Sequence, residues 1–391
     1  MRFGVINKEI KLLSLCFLLI FLGFNGVQQY ITTFFSSNKA IDLGFHSLIL
    51  IYLFFILFDP LSGLLVSKHG AKKCMIVSSI FYSVFIISLL SRSTLFIYFT
   101  SSLLGIAASL LWTGQNSYLI RASNKRYYGA NSGFFNSFQS LGSAFGVFIL
   151  GFLIPMFLFN VSFLIFSVFP LFGFLLLFGL KDLETKQDIN HFRFVKKSIT
   201  SVTALKLSSF WFSINFVFGL VISIIPLEIK KILGLPYIGI LSSLFYVLPI
   251  LLSYFFGKLS DIKGRKTMII FSYILLIISL AFLLFSSQAA FLVLGIILLA
   301  LNWTITKPIT YALVGDVSTK ENLEFLTALF WMIQNVGVVA ALLLSQAFKF
   351  KVKTLYLISI FIVLCSLMVL APLLKLDIKK LKEKISQEIL I

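Results

Sequence analysis

Gly257-Lys258-Leu259-Ser260-Asp261-Ile262-Lys263-Gly264-Arg265-Lys266 decides the reading of this chain. These residues form a charged knot between two apolar runs, 232–257 and 267–306, neither of which holds an Asp, Glu, Lys or Arg. A joint this dense in charge is excluded from hydrocarbon, so it must turn in water between two membrane-spanning helices. Gly257 permits close helix approach and Gly264 a sharp reversal. Asp261 is placed to pair with Arg265 or to face the positive N-terminal end of a neighbouring helix.

A worn copy of the knot lies in the first half, from Gly63-Leu64-Leu65-Val66-Ser67 through Gly70 to Lys73, offset by 194 residues. Independently, Phe135, Gln139 and Gly142 recur as Phe330, Gln334 and Gly337, each 195 residues on. Two unrelated motifs repeating at nearly one interval imply two equivalent halves in parallel orientation. Ser67 stands where Asp261 does, so the first-half turn cannot form the same carboxylate latch.

The pattern G-x-L-S-D-x-x-G-R-K resembles the signature loop of the major facilitator superfamily of secondary transporters. Composition agrees with a membrane chain: 59% of residues are hydrophobic and 12% charged, where soluble domains carry roughly a quarter. Twelve stretches reach the length of about 20 apolar residues that a crossing needs. They are 11–35, 45–66, 74–90, 94–120, 127–154, 157–180, 207–228, 238–257, 267–286, 288–314, 325–348 and 354–374. The uncharged stretch 127–180 must be divided, and Pro155 marks the division. The expected fold is all-α and polytopic, with 12 transmembrane helices in two pseudo-symmetric six-helix bundles. The expected domains are an N-terminal bundle (1–180), a cytoplasmic linker (181–206), a C-terminal bundle (207–374) and a cytoplasmic amphipathic tail (375–391).

The net charge of +19 is a matter of topology. With the N-terminus inside, 25 of the 33 Lys and Arg fall in inner segments, seven in outer loops, and Lys307 within a span. That bias predicts cytoplasmic N- and C-termini in a multi-pass protein of the cell membrane. Short scattered loops offer no contiguous basic face for nucleic acid. The first apolar run is too long for a signal-peptide core and should remain as a helix. Cys16, Cys74 and Cys365 fall in spans and His46, His69 and His191 are dispersed. No disulfide framework, metal site, cofactor or enzymatic constellation is expected.

Polar residues inside spans are the candidate site. In the first span Asn25, Gln28, Gln29 and Thr32 share one face at i, i+3, i+4, i+7, as helix–helix glue or as a cavity strip. The second span holds Asp59-Pro60; the acid is costly unless protonated, paired or hydrated. Asp59 is the coupling candidate, with an ion pair or a hydrogen bond to a neighbouring helix as the alternative. The fourth presents Trp112, Gln115 and Asn116 and ends at Arg121, read as a topology anchor. The fifth carries Asn136, Gln139, Ser140 and Ser143, thinned by Gly133, Gly142 and Gly146; the eleventh mirrors it with Trp331, Gln334 and Asn335. The seventh offers Trp211 and Asn215. In the tenth, Trp303, Thr306, Lys307 and Thr310 lie on one face beside Tyr311. Lys307 is either a snorkelling or ion-paired structural lysine, or a cavity cation that meets an anionic substrate group or Asp59. Asp316, Glu321 and Glu324 are explained by the dipole of the eleventh helix. The tail repeats Ile378, Leu381, Ile385 and Ile389 among lysines, an amphipathic helix expected on the inner leaflet.

Within the first 150 residues, Asn25-Gly26-Val27-Gln28-Gln29, Leu43-Gly44 with Ser47-Leu48, Trp112-Thr113-Gly114-Gln115-Asn116-Ser117-Tyr118-Leu119 and Gly133-Phe134-Phe135 with Phe138-Gln139 resemble the uncoordinated-ninety-three-like branch of major facilitators. Animal members of that branch are known as regulators or trafficking chaperones of other membrane proteins, so the resemblance adds a non-transporting alternative. The sequence departs from them in lacking long loops and tails, where partner contacts would be expected. The expected function is secondary or facilitative transport of a small, uncharged or weakly anionic organic solute by alternating access, in a monomer, with a proton as candidate coupling ion. The expected binding set is Asn25, Gln28, Gln29, Trp112, Gln115, Asn116, Asn215, Trp303 and Lys307. Gly63, Gly70, Gly257, Asp261, Gly264 and Arg265 form the expected gate.

Overall fold

The computed structural model describes residues 6–37, 40–91, 93–183, 191–234, 236–347 and 351–390. Its helices are α1 (Lys8–Ser37), α2 (Ile41–His69), α3 (Ala71–Ser88), α4 (Thr94–Ala122), α5 (Tyr128–Phe166), α6 (Val168–Leu177), α7 (His191–Thr200), α8 (Val202–Ser223), α9 (Ile225–Ile232), α10 (Pro236–Lys263), α11 (Arg265–Leu284), α12 (Ala289–Val317), α13 (Leu323–Ala347), α14 (Val352–Leu374) and α15 (Ile378–Leu390). Among the described residues, twelve segments are long and apolar enough to cross a membrane. The side chain of Thr32 and residues 184–190 of the linker lie outside the described residues.

The division of the uncharged stretch falls slightly later than Pro155 predicts. Helical geometry continues to Leu158, where φ is 61° and two helices meet within α5. A proline's own φ is compatible with a helix, so the chain leaves the helix at the residue that changes hand.

Side chains sort by solvent. Phe148, Phe152, Leu251, Phe361 and Met368 are all more than half exposed around the perimeter, as a lipid-facing belt requires. Inside, one apolar core draws on residues from Ile10 to Leu180, the other on residues from Phe194 to Ile389. Three residues cross over: Ile120 joins the second core, while Tyr311 and Trp331 join the first.

The halves meet along two seams, α5 against α10 and α2 against α13. Close approach is possible only because glycines line the first seam. A Cβ on Gly257 would collide with the Gly129 carbonyl, and one on Gly133 with the Ser253 carbonyl. Gly63 sits over the backbone of Glu324 and Phe325 on the second seam. Gly70 (φ 94°) and Gly264 (φ 87°) take the left-handed conformation that joins α2 to α3 and α10 to α11 without a loop.

The tail differs from expectation. It is amphipathic, but Leu381, Ile385 and Ile389 are 4%, 0% and 1% exposed, packed into the second core. Its apolar stripe therefore meets protein, against α7, α8 and α12, instead of lipid. The start of α8 explains the docking, since unpaired N–H groups there seek an acceptor. Glu388 accepts from Ser201 Oγ at 2.6 Å, from the Thr203 amide at 2.9 Å and from the Thr203 hydroxyl. Partial burial would push the Glu388 carboxyl up; these donors, with Lys384 nearby, outweigh it and hold it below the usual carboxylate range.

Two outcomes follow from this packing. Gly133→Leu wedges α5 from α10, an overpacking that costs about 1–3 kcal/mol and lowers the thermal midpoint in detergent; an unchanged midpoint would show the seam to be slack. Because the folded Glu388 is more acidic than in an unfolded chain, its contribution to docking is complete above the ordinary glutamate range (about 4.3). It is lost as pH falls through the lower folded value. A spin label at Lys384→Cys should therefore gain mobility only in acid, whereas Glu388→Gln should be mobile already at neutral pH. Equal mobility in both proteins at pH 7 would remove Glu388 from the docking.

Candidate functional site

At the end of the molecule that carries most of the basic residues, the seams are fastened by charge. Asp261 Oδ1 and Oδ2 accept the Gly129 and Ala130 amides at 2.8 Å each, at the N-terminus of α5. Asp261 also pairs with Arg265 at 2.6 Å. Both readings of this aspartate hold together, and one carboxylate joins the turn of one half to a helix of the other. Arg265 continues to Asp316 at 2.7 Å and to Ser260 Oγ.

The second seam has its own fastener. Arg121 donates to Glu324 through both Nε (3.0 Å) and Nη2 (2.7 Å), and to the Lys320 carbonyl at 2.9 Å. Arg121 is thus a cross-half clamp, not only a topology anchor, and Glu324, 1% exposed, is its partner. Asp316 is likewise engaged by Arg265. Helix-dipole placement does not account for these two acids: each neutralises a buried arginine.

One layer further in, five rings form a closed circuit drawn from both halves. Centroid separations are 5.1 Å for Phe17–Phe135, 5.9 Å for Phe135–Tyr311 and 5.6 Å for Tyr311–Trp331, Trp331–Trp112 and Trp112–Phe17. These separations are those of favourable aromatic contacts. Together they make an aromatic floor between the halves, from which Trp112, Tyr311 and Trp331 reach the cavity described next.

Above the floor lies a cavity of about 420 Å³, walled by α1, α2, α3, α4 and α5 from one half and α8, α10, α12 and α13 from the other. Asn25, Gln28, Gln29, Trp112, Asn215, Trp303 and Lys307 line it, seven of the expected nine. Gln115 and Asn116 do not. Both are fully buried with their amide atoms unpaired; Asn116 lies one helical turn beyond Trp112, past the floor, which is where helix periodicity carries it. Asn25 serves as both glue and lining, since its amide donates to Ser143 Oγ at 2.7 Å. Asn215 donates to the Trp211 carbonyl at 2.8 Å, leaving its oxygen for the cavity.

Asp59 is fully buried and does not line the cavity. It does not pair with Lys307. Asn335 faces it across the α2–α13 seam, yet both carboxyl oxygens and the Asn335 amide nitrogen lack a partner in hydrogen-bond geometry. The Asp59 carbonyl accepts from Ser62 Oγ, which in turn meets Thr113 Oγ1 at 2.8 Å. The Lys307 ammonium sits 4.0 Å from the centre of the Trp303 ring and 5.7 Å from that of Trp331, with Gln334 Oε1 at 3.5 Å. Cation–π contact, which favours tryptophan, holds it where neither snorkelling nor an ion pair does among the described residues.

The structure adds lining residues outside the expected set: Asn136, Gln139, Ser140, Gln334 and Asn335, with Tyr52, Tyr82, Tyr246, Tyr311 and Trp331. A signal for seven of them was present: Asn136, Gln139 and Ser140 form the polar stripe of the fifth span, Trp331, Gln334 and Asn335 that of the eleventh, and Tyr311 stands beside Lys307. Gln139 and Gln334 are also the repeated pair, and both line the cavity.

Comparison with known proteins agrees with this architecture. The profile described as Major Facilitator Superfamily matches residues 12–225 and 207–389. The UNC93-like protein 3 of Arabidopsis thaliana is 33% identical over 129 residues, 32% of this chain and 27% of that protein. The UNC93-like protein MFSD11 of Xenopus laevis is 29% identical over 141 residues, 35% of this chain and 32% of that protein. The chain thus matches about a third of the length of these curated relatives. Among solved structures, the human organic anion transporter MFSD10 (TETRAN) superposes with a TM-score of 0.76 at 13% identity, covering 91% of this chain and 98% of that one. A bacterial homologue of the iron transporter ferroportin in an outward-facing state gives 0.75 at 13% identity, covering 94% and 99%. The proton:xylose symporter XylE gives 0.75 at 11% identity, covering 93% and 96%. Two six-helix halves fastened by the Gly257–Lys266 turn around a shared cavity, and a profile match running nearly end to end, place this multi-pass membrane protein in the Major Facilitator Superfamily, with its first half resembling the UNC93-like branch.

Proposed function

We propose that this chain carries a small organic solute across the cell membrane by alternating access, its termini in the cytoplasm. The halves 1–180 and 207–374, joined by 181–206, are the rocking units. One observation carries the reading: a polar cavity walled by both halves is flanked at one end by contacts that join the halves, Asp261 to the Gly129 and Ala130 amides, Arg121 to Glu324, Phe135 to Tyr311 and Trp112 to Trp331. Such contacts break when the halves tilt, which a solute-blind scaffold has no need of. The conformation seen here is closed on the basic side, the cytoplasmic one under this topology, and so is poised to exchange solute with the outside. Asn25, Gln28, Gln29, Trp112, Asn215, Trp303 and Lys307 are the proposed contacts, and Gly63, Gly70, Gly257, Asp261, Gly264 and Arg265 the gate. Asp59, buried at a seam that must open, is the proposed seat of a coupling proton.

The fold neighbours include carriers described for organic anions and for xylose with protons, and a homologue of an iron transporter. Their cargoes are unlike one another, so they support transport without choosing a solute.

Removing one partner of a buried ion pair costs about 3–5 kcal/mol, and about 1.4 kcal/mol is already tenfold in an equilibrium. Asp261→Asn combined with Arg121→Gln should therefore shift the protein to the state open on the basic side. Cysteines placed at the floor, such as Tyr311→Cys, should become reactive to an impermeant reagent from that side. Proteoliposomes of the wild type should show saturable flux of at least one solute in a metabolite panel, slowed by the double variant. Unchanged floor reactivity together with a stoichiometric protein partner and no flux would replace this reading with that of a regulator or chaperone.

A further inference from the structure

The cavity's second-half wall carries hydrogen-bond donors that the protein meets only in part. The Lys307 ammonium has three N–H groups; it lies over the Trp303 ring and reaches Gln334 at the 3.5 Å limit of a hydrogen bond. Trp331 Nε1, on a residue 4% exposed, is buried without an acceptor, whereas the neighbouring Asn335 amide faces Asp59 across the seam. Leaving such donors unmet costs stability, and Lys307 adds a buried charge. Among the described residues that line the cavity, Lys307 is the only charged one, and no carboxylate forms an ion pair with it.

We propose that Lys307 and Trp331 form a subsite for the carboxylate of a small aromatic monoanion. This rests on the solute-carrier reading and names its substrate class. A carboxylate supplies two oxygens with about four acceptor positions, enough for the open ammonium N–H and the Trp331 N–H at once. It also neutralises the buried ammonium. A dianion would bring one uncompensated charge into a cavity with a single cation, where burial of unpaired charge is penalised. The body of the ligand is set by the walls. One face of Trp303 is stacked on Phe218, with centroids 4.1 Å apart and planes within 12°, and the other carries Lys307, so it is the cavity-lining Phe218 of this rigid stack against which a ring can lie. The volume of about 420 Å³ is in the range of small-molecule sites.

The test is binding to the purified full-length protein in nanodiscs, read by tryptophan fluorescence and by thermal shift, with three matched pairs: benzoate and benzamide, phenylacetate and phenylacetamide, indole-3-acetate and indole-3-acetamide. At least one acid should quench and stabilise at millimolar concentration, and its amide should bind about tenfold more weakly, as loss of one charged hydrogen bond predicts. Lys307→Gln should abolish that preference, and Lys307→Arg should restore part of it. The acid–amide comparison on the wild type needs no variant, so a misfolded variant does not decide it. Amides that match their acids, or three acids that all leave both signals unmoved, would overturn the subsite. Binding without flux in proteoliposomes would sink the carrier reading and leave the subsite standing. Flux of a neutral solute that Lys307→Gln leaves intact would do the reverse.

Discussion

At the closed end of this molecule a single carboxylate fastens the α5–α10 seam. Asp261 takes two backbone amides from the first turn of α5 and a guanidinium from its own turn. Charge-assisted bonds of this kind are roughly twice as strong as neutral ones, and the helix N-terminus adds its partial positive charge. The contact requires that α10 reach α5 at backbone distance, which is why glycine occupies positions 129, 133 and 257. Everything nearer the cavity inherits this geometry. The five-ring floor closes only because the two halves have been drawn together beneath it.

The two seams solve one problem with different residues, and the repeat shows how. Advanced by 194 residues, Ser67 and Ala71 correspond to Asp261 and Arg265; advanced by 195, Arg121 and Gly129 correspond to Asp316 and Glu324. In the second half Arg265 neutralises Asp316 at home, and Asp261 crosses the seam. In the first half the arginine has become alanine and the aspartate serine, so Arg121 has neither counterpart. Arg121 crosses instead, and meets Glu324 where the other half offers a glycine amide. Duplication supplied the scaffold, and the charges were then redistributed so that each seam keeps one buried fastener. A pair of this kind adds little net stability over apolar packing, but its loss leaves an unpaired buried charge. That makes it suited to the opening and closing proposed for these seams.

The fold was legible because its determinants are local in sequence: long uncharged runs, a turn with an ordered charge pattern, and a repeat interval. The site was legible in part. Helical spacing placed Asn25, Gln28, Gln29, Trp112 and Lys307 on faces that do meet the cavity. It failed for Gln115 and Asn116 because periodicity gives a direction around the helix, not a depth along it, and the floor passes between Trp112 and Asn116. Asp59 and Lys307 were both candidates for the same pair, yet each is held by its own surroundings: one faces an amide across a seam, the other lies over an indole. The cross-half partner of Arg121 and the same-half partner of Arg265 lie 203 and 51 residues away, and nothing in a linear pattern distinguishes an acid at a helix start from an acid in a clamp. The tail misled for a related reason. An amphipathic stripe reports that an apolar partner exists, but lipid and a protein groove satisfy it equally.

Trp331 belongs both to the cavity lining and to the aromatic floor. Its ring centre lies 5.7 Å from the Lys307 ammonium, and the same ring takes part in the circuit with Trp112 and Tyr311. An acceptor engaged by the Trp331 N–H would therefore bear on the same side chain that seals the floor. In the proposed cycle a solute would need no long pathway to influence the closed end: the residue that feels the charge is itself part of the barrier. The adjacent Asn335 faces the ligand wall and, across the α2–α13 seam, Asp59. In the proposed cycle, binding and seam separation would bear on neighbours on one turn of α13, which is the coupling that a carrier requires and a static scaffold does not.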